Sequence, residues 1–281
     1  MVSDLAAPNS IPGPRRRKRR FDAAHLALVA YVVLFVLFIL APLVVVVGSS
    51  FEPRELLRFP PQGLSLRWYY QALNSDLFVG AAWNSLIIAI FATLGALLLG
   101  VPAAYGLARF DFKGREAVSG LLNSPLLVPE LVMGLALLQI LAGLQIASSV
   151  LTLTLGHILI CLPYVVRTIN SAIVGVDRSV EEAAANLGAA RWRIYLTILL
   201  PIIRPALYAA ILFSFLMSFD NAVLSLFLVS ARTSTLPISV YNYVQYSLDP
   251  AIAAVSTLLM AVSVVALFTV SRLVPLDRIK Q

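Results

Sequence analysis

Residues 83–107 read WNSLIIAIFATLGALLLGVPAAYGL, a run without a single charged side chain. A helix of about 20 apolar residues is long enough to cross the hydrocarbon core of a bilayer. Backbone N–H and C=O groups find no water there, and a helix satisfies them internally. The run is continuous and does not alternate, which excludes a strand of a membrane β-barrel. This stretch therefore predicts a transmembrane helix.

Five other stretches have the same character. The six predicted spans are residues 27–49, 83–107, 118–143, 150–170, 206–229 and 251–273. Of the 281 residues, 60% are hydrophobic and 12% are charged, whereas an ordinary soluble domain has about 25% charged residues. The predicted fold is all-α: a basic tail, residues 1–26, precedes a polytopic membrane domain of six transmembrane helices, residues 27–281.

The distribution of positive charge predicts the orientation. Six spans place both termini on one side, and 17 of the 21 lysine and arginine residues fall on that side. Because short cytoplasmic segments are rich in lysine and arginine, both termini are expected in the cytoplasm. The basic cluster at 15–20 is then a topology anchor. There are two alternatives: the cluster contacts nucleic acid or lipid, or it is part of an export signal.

Composition also excludes several functions. Lysine occurs only at positions 18, 113 and 280 and in no phosphate-binding loop, so any ATP must be hydrolysed by another chain. The single cysteine, Cys161, excludes a disulfide framework and a cysteine-based metal site. His157 has no second histidine at metal-ligand spacing, so a role in helix packing is expected. We expect no catalytic set, no metal, no cofactor in this chain and no nucleic-acid partner.

Two predicted outside loops carry aromatic clusters, at residues 68–70 and 241–246. Tyrosine and tryptophan are enriched where a membrane protein meets the lipid headgroups. Contact with membrane lipid is therefore the favoured interpretation, and a docking surface for an external protein is the alternative.

The loop 171–205 is the most informative polar stretch and reads SAIVGVDRSVEEAAANLGAARWRIYLTILLPIIRP. A helix-forming segment at 177–185 precedes Gly188, which allows a sharp turn. A second short helix is expected from Ala190, and the prolines at 201 and 205 should end it and start the next span. The pattern predicts a helix–turn–helix across the cytoplasmic face, with small alanines that suit insertion into a groove on a partner.

The spacing within this loop resembles the EAA loop of ABC importer permeases of the type I family. The matching residues are Glu182, Ala183, Ala184, Gly188, Ile198, Leu200 and Pro201. The resemblance implies that the loop is a coupling helix, which docks into a cleft of an ATPase subunit. It also implies a core permease domain of about 83–273, with 171–205 as its coupling loop.

Three apolar motifs resemble the second, shorter permease of spermidine/putrescine-type transporters. They are LLVPELVMG at 126–134, SFDNAVLSLFL at 218–228 and TLPISVYNYV at 235–244. Permeases for other small organic cations, opines and phosphonates share them, and this chain has Asp220-Asn221 where two adjacent acids are expected. The resemblance implies a second permease subunit, two copies of an ATPase that carries ATP and Mg²⁺, and an external binding protein.

Two acids, Glu130 and Asp220, fall inside predicted spans. If both spans are straight, Glu130 lies ~18 Å and Asp220 ~21 Å from the cytoplasmic end, at similar depth. Acids within a membrane usually face a cavity or a partner. We expect both, with Asn221, to line a path that favours a cation. In the alternative, each carboxylate bonds between helices, or Glu130 caps the segment after Pro129.

These observations predict a permease subunit of a binding-protein-dependent ABC importer in a bacterial inner membrane. It would move polyamines or a related small organic solute by ATP-driven alternating access. The alternative is a secondary transporter or channel driven by an ion gradient, in which Glu130 and Asp220 would be proton or ion sites. A membrane-embedded enzyme is a third class, and the sequence offers no catalytic residues for it.

Overall fold

The computed structural model describes residues 23–230 and 233–273. The basic cluster at 15–20 lies outside the described residues. The chain divides into two compact units, Met1–Val45 and Val46–Gln281. In the first unit, the described residues belong to helix α1 (Ala23–Ser49), an apolar helix with Pro42 inside it.

The second unit is helical throughout its regular described elements, which confirms the all-α class. Its long helices are α3 (Asp76–Arg109), α6 (Val150–Val174) and α13 (Ala251–Leu273). The shorter ones are α2 (Arg67–Leu73), α4 (Arg115–Asn123), α5 (Glu130–Gly143), α7 (Arg178–Asn186), α8 (Arg191–Ile194), α9 (Leu200–Ile202), α10 (Arg204–Phe219), α11 (Val223–Leu228) and α12 (Leu236–Tyr246). Among the described residues, four helices are long and apolar enough to cross a membrane, and the number reaches six if each of two bent helix pairs forms one span. The count is consistent with the six predicted spans. However, the second pair, Arg191–Ile202 with Arg204–Phe219, begins inside the predicted cytoplasmic loop and is bent by 75°.

The third predicted span, 118–143, is not one straight helix. Helix α4 runs into a 3₁₀ turn at Ser124–Leu126, and α5 then leaves at an angle of 101°. Pro129 stands at the bend, directly before Glu130. Proline lacks a backbone N–H and disfavours helical backbone in the residue before it, so the helix ends there. The straight helix assumed for the depth of Glu130 is therefore wrong.

The fifth predicted span, 206–229, is also interrupted. Helix α10 ends at Phe219, and α11 begins at Val223 after a short turn. The side-chain oxygen of Asn221 accepts a hydrogen bond from the backbone N–H of Leu224 at 2.9 Å. Such a local bond competes with the helical one and favours a new helix start. Asp220 thus lies at a break between helices, and counting helical rise does not give its depth.

The core of the second unit lies between α3 and α6. Helix α3 presents a small, buried residue at every fourth position: Ala92, Ala96, Gly100, Ala104 and Ala108. Small residues at this spacing let two membrane helices approach closely. A Cβ built on Gly100 would lie 2.8 Å from Cγ1 of Val165 on α6, so the contact leaves no space there. This packing fixes the last turn of α3, where Arg109 meets the 171–205 loop.

Candidate functional site

The first half of the 171–205 loop is the helix α7. Asp177 caps it, because its carboxylate accepts a hydrogen bond from the backbone N–H of Ser179 at 2.9 Å. The bonds from Ser179 hold the pKa of Asp177 below its usual value, so the carboxylate stays charged at neutral pH. A negative charge at a helix N-terminus is favourable. The predicted helix at 177–185 is thereby confirmed, with bounds shifted by one residue.

Gly188 makes the sharp turn that ends α7. Its φ is +85°, in the left-handed region that favours glycine. The N–H of Gly188 donates to the carbonyl of Ala185 at 2.9 Å, and the N–H of Ala189 donates to Ala184 at 3.1 Å. This pair of bonds is a Schellman motif, which satisfies the last carbonyls of a helix. The turn predicted at Gly188 is confirmed.

The second half of the loop is α8, followed by a π-helical turn and α9. The π turn, Tyr195–Leu199, directly precedes the segment with Pro201. Proline cannot donate and clashes with the carbonyl four residues earlier, and a wider turn accommodates both. The helical path therefore continues through Pro201 to Ile202, beyond the end predicted from the proline. Pro205 stands at the start of α10, as predicted.

The predicted coupling residues occupy both halves of this loop. Three of them are exposed: Glu182, Ala183 and Gly188. The other four are half-buried: Ala184, Ile198, Leu200 and Pro201. Next to the turn, Leu187 is 90% exposed and Trp192 is 65% exposed. The loop thus presents two large exposed apolar side chains, Leu187 before the turn and Trp192 after it.

Polar contacts join this loop to the end of α3. Nε of Arg109 donates to Oε1 of Glu181 at 2.7 Å, and its Nη2 donates to the carbonyl of Val176 at 2.9 Å. Sequence reasoning missed this pair. No local pattern links residues so distant in sequence.

The two helix breaks meet at a second candidate site. Nδ2 of Asn221 donates to Oε2 of Glu130 at 3.0 Å, and Asn221 is only 8% exposed. The structure therefore brings together two of the three predicted pathway residues. Glu130 forms a hydrogen bond between helices, as the alternative interpretation of this residue predicted. Asp220, the third, is exposed, and its carboxylate has no hydrogen-bond partner in the described part of the chain.

His157 supports this site from α6. It is fully buried; its Nδ1 lies 2.7 Å from Oγ of Ser218 on α10, and its Nε2 lies 3.0 Å from Oγ of Ser225 on α11. Ser225 in turn donates to the backbone carbonyl of Asn221 at 2.8 Å. The histidine packs between helices, as predicted. Its serine partners were not anticipated, because serine in an apolar run carries no specific signal.

The Asn221→Asp variant is expected to destabilise the contact between the breaks. An aspartate keeps the acceptor for Leu224 but replaces the donor to Glu130 with a second carboxylate. Loss of the donor leaves the half-buried carboxylate of Glu130 without its partner, which should cost about 1–3 kcal/mol of folding stability. The measurement is thermal unfolding in detergent, monitored by the reaction of a thiol-reactive dye with Cys161, which is buried in the folded chain.

The control reverses the donor and the acceptor. In the double variant Asn221→Asp with Glu130→Gln, the glutamine amide can donate to the new aspartate, so the melting temperature should return toward that of the original chain. A double variant as unstable as Asn221→Asp alone would contradict this pairing.

The aromatic clusters lie near the other end of α3. Trp68 is 2% exposed, and its indole N–H donates to the carbonyl of Glu52 at 2.6 Å. It belongs to a small core and not to a headgroup layer, so the favoured interpretation of this residue is wrong. Tyr70 and Tyr246 are 74% and 88% exposed. A cavity of about 680 Å³, lined partly by Asn242 and Tyr246, opens beside α12.

Comparison with known proteins gives the family. Residues 96–276 match the family described as "Binding-protein-dependent transport system inner membrane component". The chain is 33% identical over 243 residues to the spermidine/putrescine transport system permease protein PotC of Escherichia coli (strain K12), covering 86% of this chain and 91% of that protein. It is 35% identical over 230 residues to the putrescine transport system permease protein PotI of the same strain, covering 79% and 82%.

Solved structures agree on the fold. A bacterial ABC transporter involved in the import of the acidic polysaccharide alginate matches with a TM-score of 0.70 and 17% identity, over 90% of this chain and 97% of that chain. An inward-facing structure of the MetNI methionine ABC transporter matches with a TM-score of 0.62 and 17% identity, over 70% and 94%. The chain therefore belongs to the family of inner-membrane components of binding-protein-dependent transport systems, and it is a multi-pass permease subunit of an ABC importer.

Proposed function

We propose that this permease subunit moves putrescine, spermidine or a related small organic cation into the cell. The observation that carries the proposal is the position of Asp220, an exposed carboxylate at the break between α10 and α11, next to the Asn221–Glu130 contact. Acids in the membrane-spanning segments of a protein usually face a cavity or a pathway and not lipid. Polyamines are cations at neutral pH, and PotC and PotI are named for substrates of this class.

The proposed assembly has four kinds of subunit. A second permease completes the pore, two ATPase copies hold ATP and Mg²⁺, and an external binding protein delivers the substrate. Leu187 and Trp192, exposed on either side of Gly188, suit a groove on the ATPase. At the other end of α3, Tyr70 and Tyr246 suit the binding protein, since exposed aromatics are enriched in interfaces. Both chain termini would lie in the cytoplasm.

Transport would proceed by alternating access. When the ATPases close on ATP, the 171–205 loop moves with them, and the helices above it move as rigid bodies. The breaks at 127–129 and 220–222 would then separate or approach and expose Asp220 to one side of the membrane at a time. In this proposal the chain supplies the path and the docking loop, and no covalent chemistry.

The test is uptake of labelled putrescine and spermidine into proteoliposomes that contain the complete complex and the loaded binding protein. Loss of a charge-assisted contact costs about 1.5–3 kcal/mol, so Asp220→Asn should reduce the uptake rate about tenfold or more. Asp111→Asn, which neutralises an exposed carboxylate of the α3–α4 connection, is the matched control and should transport normally.

Three outcomes would contradict the proposal in different ways. Absence of polyamine uptake by the unmodified complex rejects the substrate class. Unchanged uptake by Asp220→Asn rejects the pathway role of that carboxylate. Uptake that needs an ion gradient but no ATP would support a secondary transporter instead.

A further inference from the structure

The helix α7 is attached to the rest of the unit in an unusual way. None of its residues, Arg178–Asn186, is buried. The following segment differs, because Ile194 is 4% exposed and the ring of Tyr195 lies 4.8 Å from that of Tyr105 on α3. Apolar packing thus fixes the second half of the loop, and it does not fix the half that contains α7.

Polar contacts with the last turn of α3 hold α7 where apolar packing does not. Arg109 binds Glu181 on α7 and the carbonyl of Val176, just before α7. In the reverse direction, Nη2 of Arg178 donates to the carbonyl of Ala108 at 3.3 Å. The side chains of Arg109 and Glu181 are 8% and 16% exposed. A pair so shielded from water interacts more strongly than an exposed ion pair.

The two adjacent acids of α7 have different surroundings. Glu181 pairs with Arg109, whereas Glu182 is exposed. Successive residues of a helix point about 100° apart, so one acid can face α3 while the next faces a partner. A cavity of about 320 Å³ lies beside the pair. Its lining is mainly charged, with Arg109, Arg178, Glu181, Glu182 and Arg191, and is completed by Tyr105, Phe110, Ala185 and Ile194. Apolar side chains therefore do not fill the space between α7 and α3.

We propose that the Arg109–Glu181 ion pair is the link that carries the movement of α7 into α3. Helix α3 is packed along its length on α6 through small residues such as Gly100, so displacement of its last turn moves both helices together. Arg109 and Glu181 are positioning residues: they touch no substrate and act through the orientation of α7. The inference rests on the proposed function, because it requires an ATPase docked on this loop.

The test uses the assembled complex with a reporter cysteine, Val223→Cys, and cysteine-free partner subunits. Val223 is exposed at the start of α11 beside the break, so the reporter leaves Asp220 in place. The native Cys161 is buried and gives little background. A membrane-impermeant maleimide is applied with and without trapping by ATP and vanadate. With Arg109 and Glu181 intact, trapping should change the labelling rate. In Arg109→Ala or Glu181→Ala, ATP should still be hydrolysed and trapped, while labelling no longer depends on trapping.

Rescue separates a link from a general structural role. Exchange of the charges, Arg109→Glu with Glu181→Arg, should restore the dependence at least in part. Asp111→Asn, which removes an exposed ion pair with Arg115, should behave like the original chain. ATP hydrolysis, co-purification of the ATPase and labelling are measured for every variant.

The outcomes distinguish the two levels of the proposal. If labelling of the reporter does not respond to trapping when Arg109 and Glu181 are intact, the alternating access in the proposed function is wrong, and this inference is wrong with it. If trapping changes the labelling equally in Arg109→Ala and in the intact pair, only the inference is wrong. If the single variants lose the ATPase and the exchanged pair does not recover it, the pair serves folding alone, and the inference is also wrong.

Discussion

Replacing Gly188 with valine is expected to reduce ATP-driven uptake about tenfold or more, while the chain still inserts into the membrane. The φ of +85° at this residue costs an L-residue about 1–2 kcal/mol, and a β-branched residue is a more severe outlier. Valine would therefore displace the bonds to Ala185 and Ala184 that end α7. Since 1.4 kcal/mol is a factor of ten, few molecules would keep α7 and the exposed Leu187 in position for a partner.

Two other variants make this prediction specific. Gly120→Val places the same side chain in α4, where a Cβ would have no neighbour within 4 Å and φ is not left-handed, so uptake should be nearly normal. Gly188→Asn should retain much of the activity, because asparagine tolerates the left-handed region. Uptake rate and ATPase co-purification are the measurements. Normal uptake by Gly188→Val would mean that the turn is not needed for coupling.

Replacing Gly100 with alanine is expected to lower folding stability by about 1–3 kcal/mol, the usual cost of adding a group to a close-packed core. The new Cβ would lie 2.8 Å from Cγ1 and 3.0 Å from Cβ of Val165. Val165 is fully buried, so α3 and α6 must move apart to admit the methyl group. The measurement is the temperature at which the buried thiol of Cys161 becomes reactive toward a fluorescent maleimide.

The matched control is Gly106→Ala in the same helix. A Cβ at residue 106 would have no neighbour within 4 Å, and alanine forms helix more readily than glycine by about 1 kcal/mol. Gly106→Ala should therefore unfold at the same temperature as the original chain or higher. If both variants raise the transition temperature equally, helix propensity explains the effect, and the close contact of α3 with α6 does not limit stability.

The amino-acid sequence by itself determined the class of the protein and the location of its EAA motif. Long apolar runs have one stable form in lipid, so α3, α6 and α13 follow from composition. The turn at Gly188 and the start of α7 at Asp177 follow from local backbone chemistry, which depends on the nearest few residues. The spacing of the EAA motif could be read for the same reason.

Only the tertiary structure decided which polar residues meet. Asn221 reaches Glu130, and Arg109 reaches Glu181, across distances in sequence that no periodic pattern describes. The breaks that bring Asn221 and Glu130 together were hidden inside apolar runs. Lipid tolerates non-helical backbone where other parts of the protein satisfy it, so hydropathy does not register a break. These contacts depend on how α3, α6 and the broken helices pack, and that is a property of the whole fold.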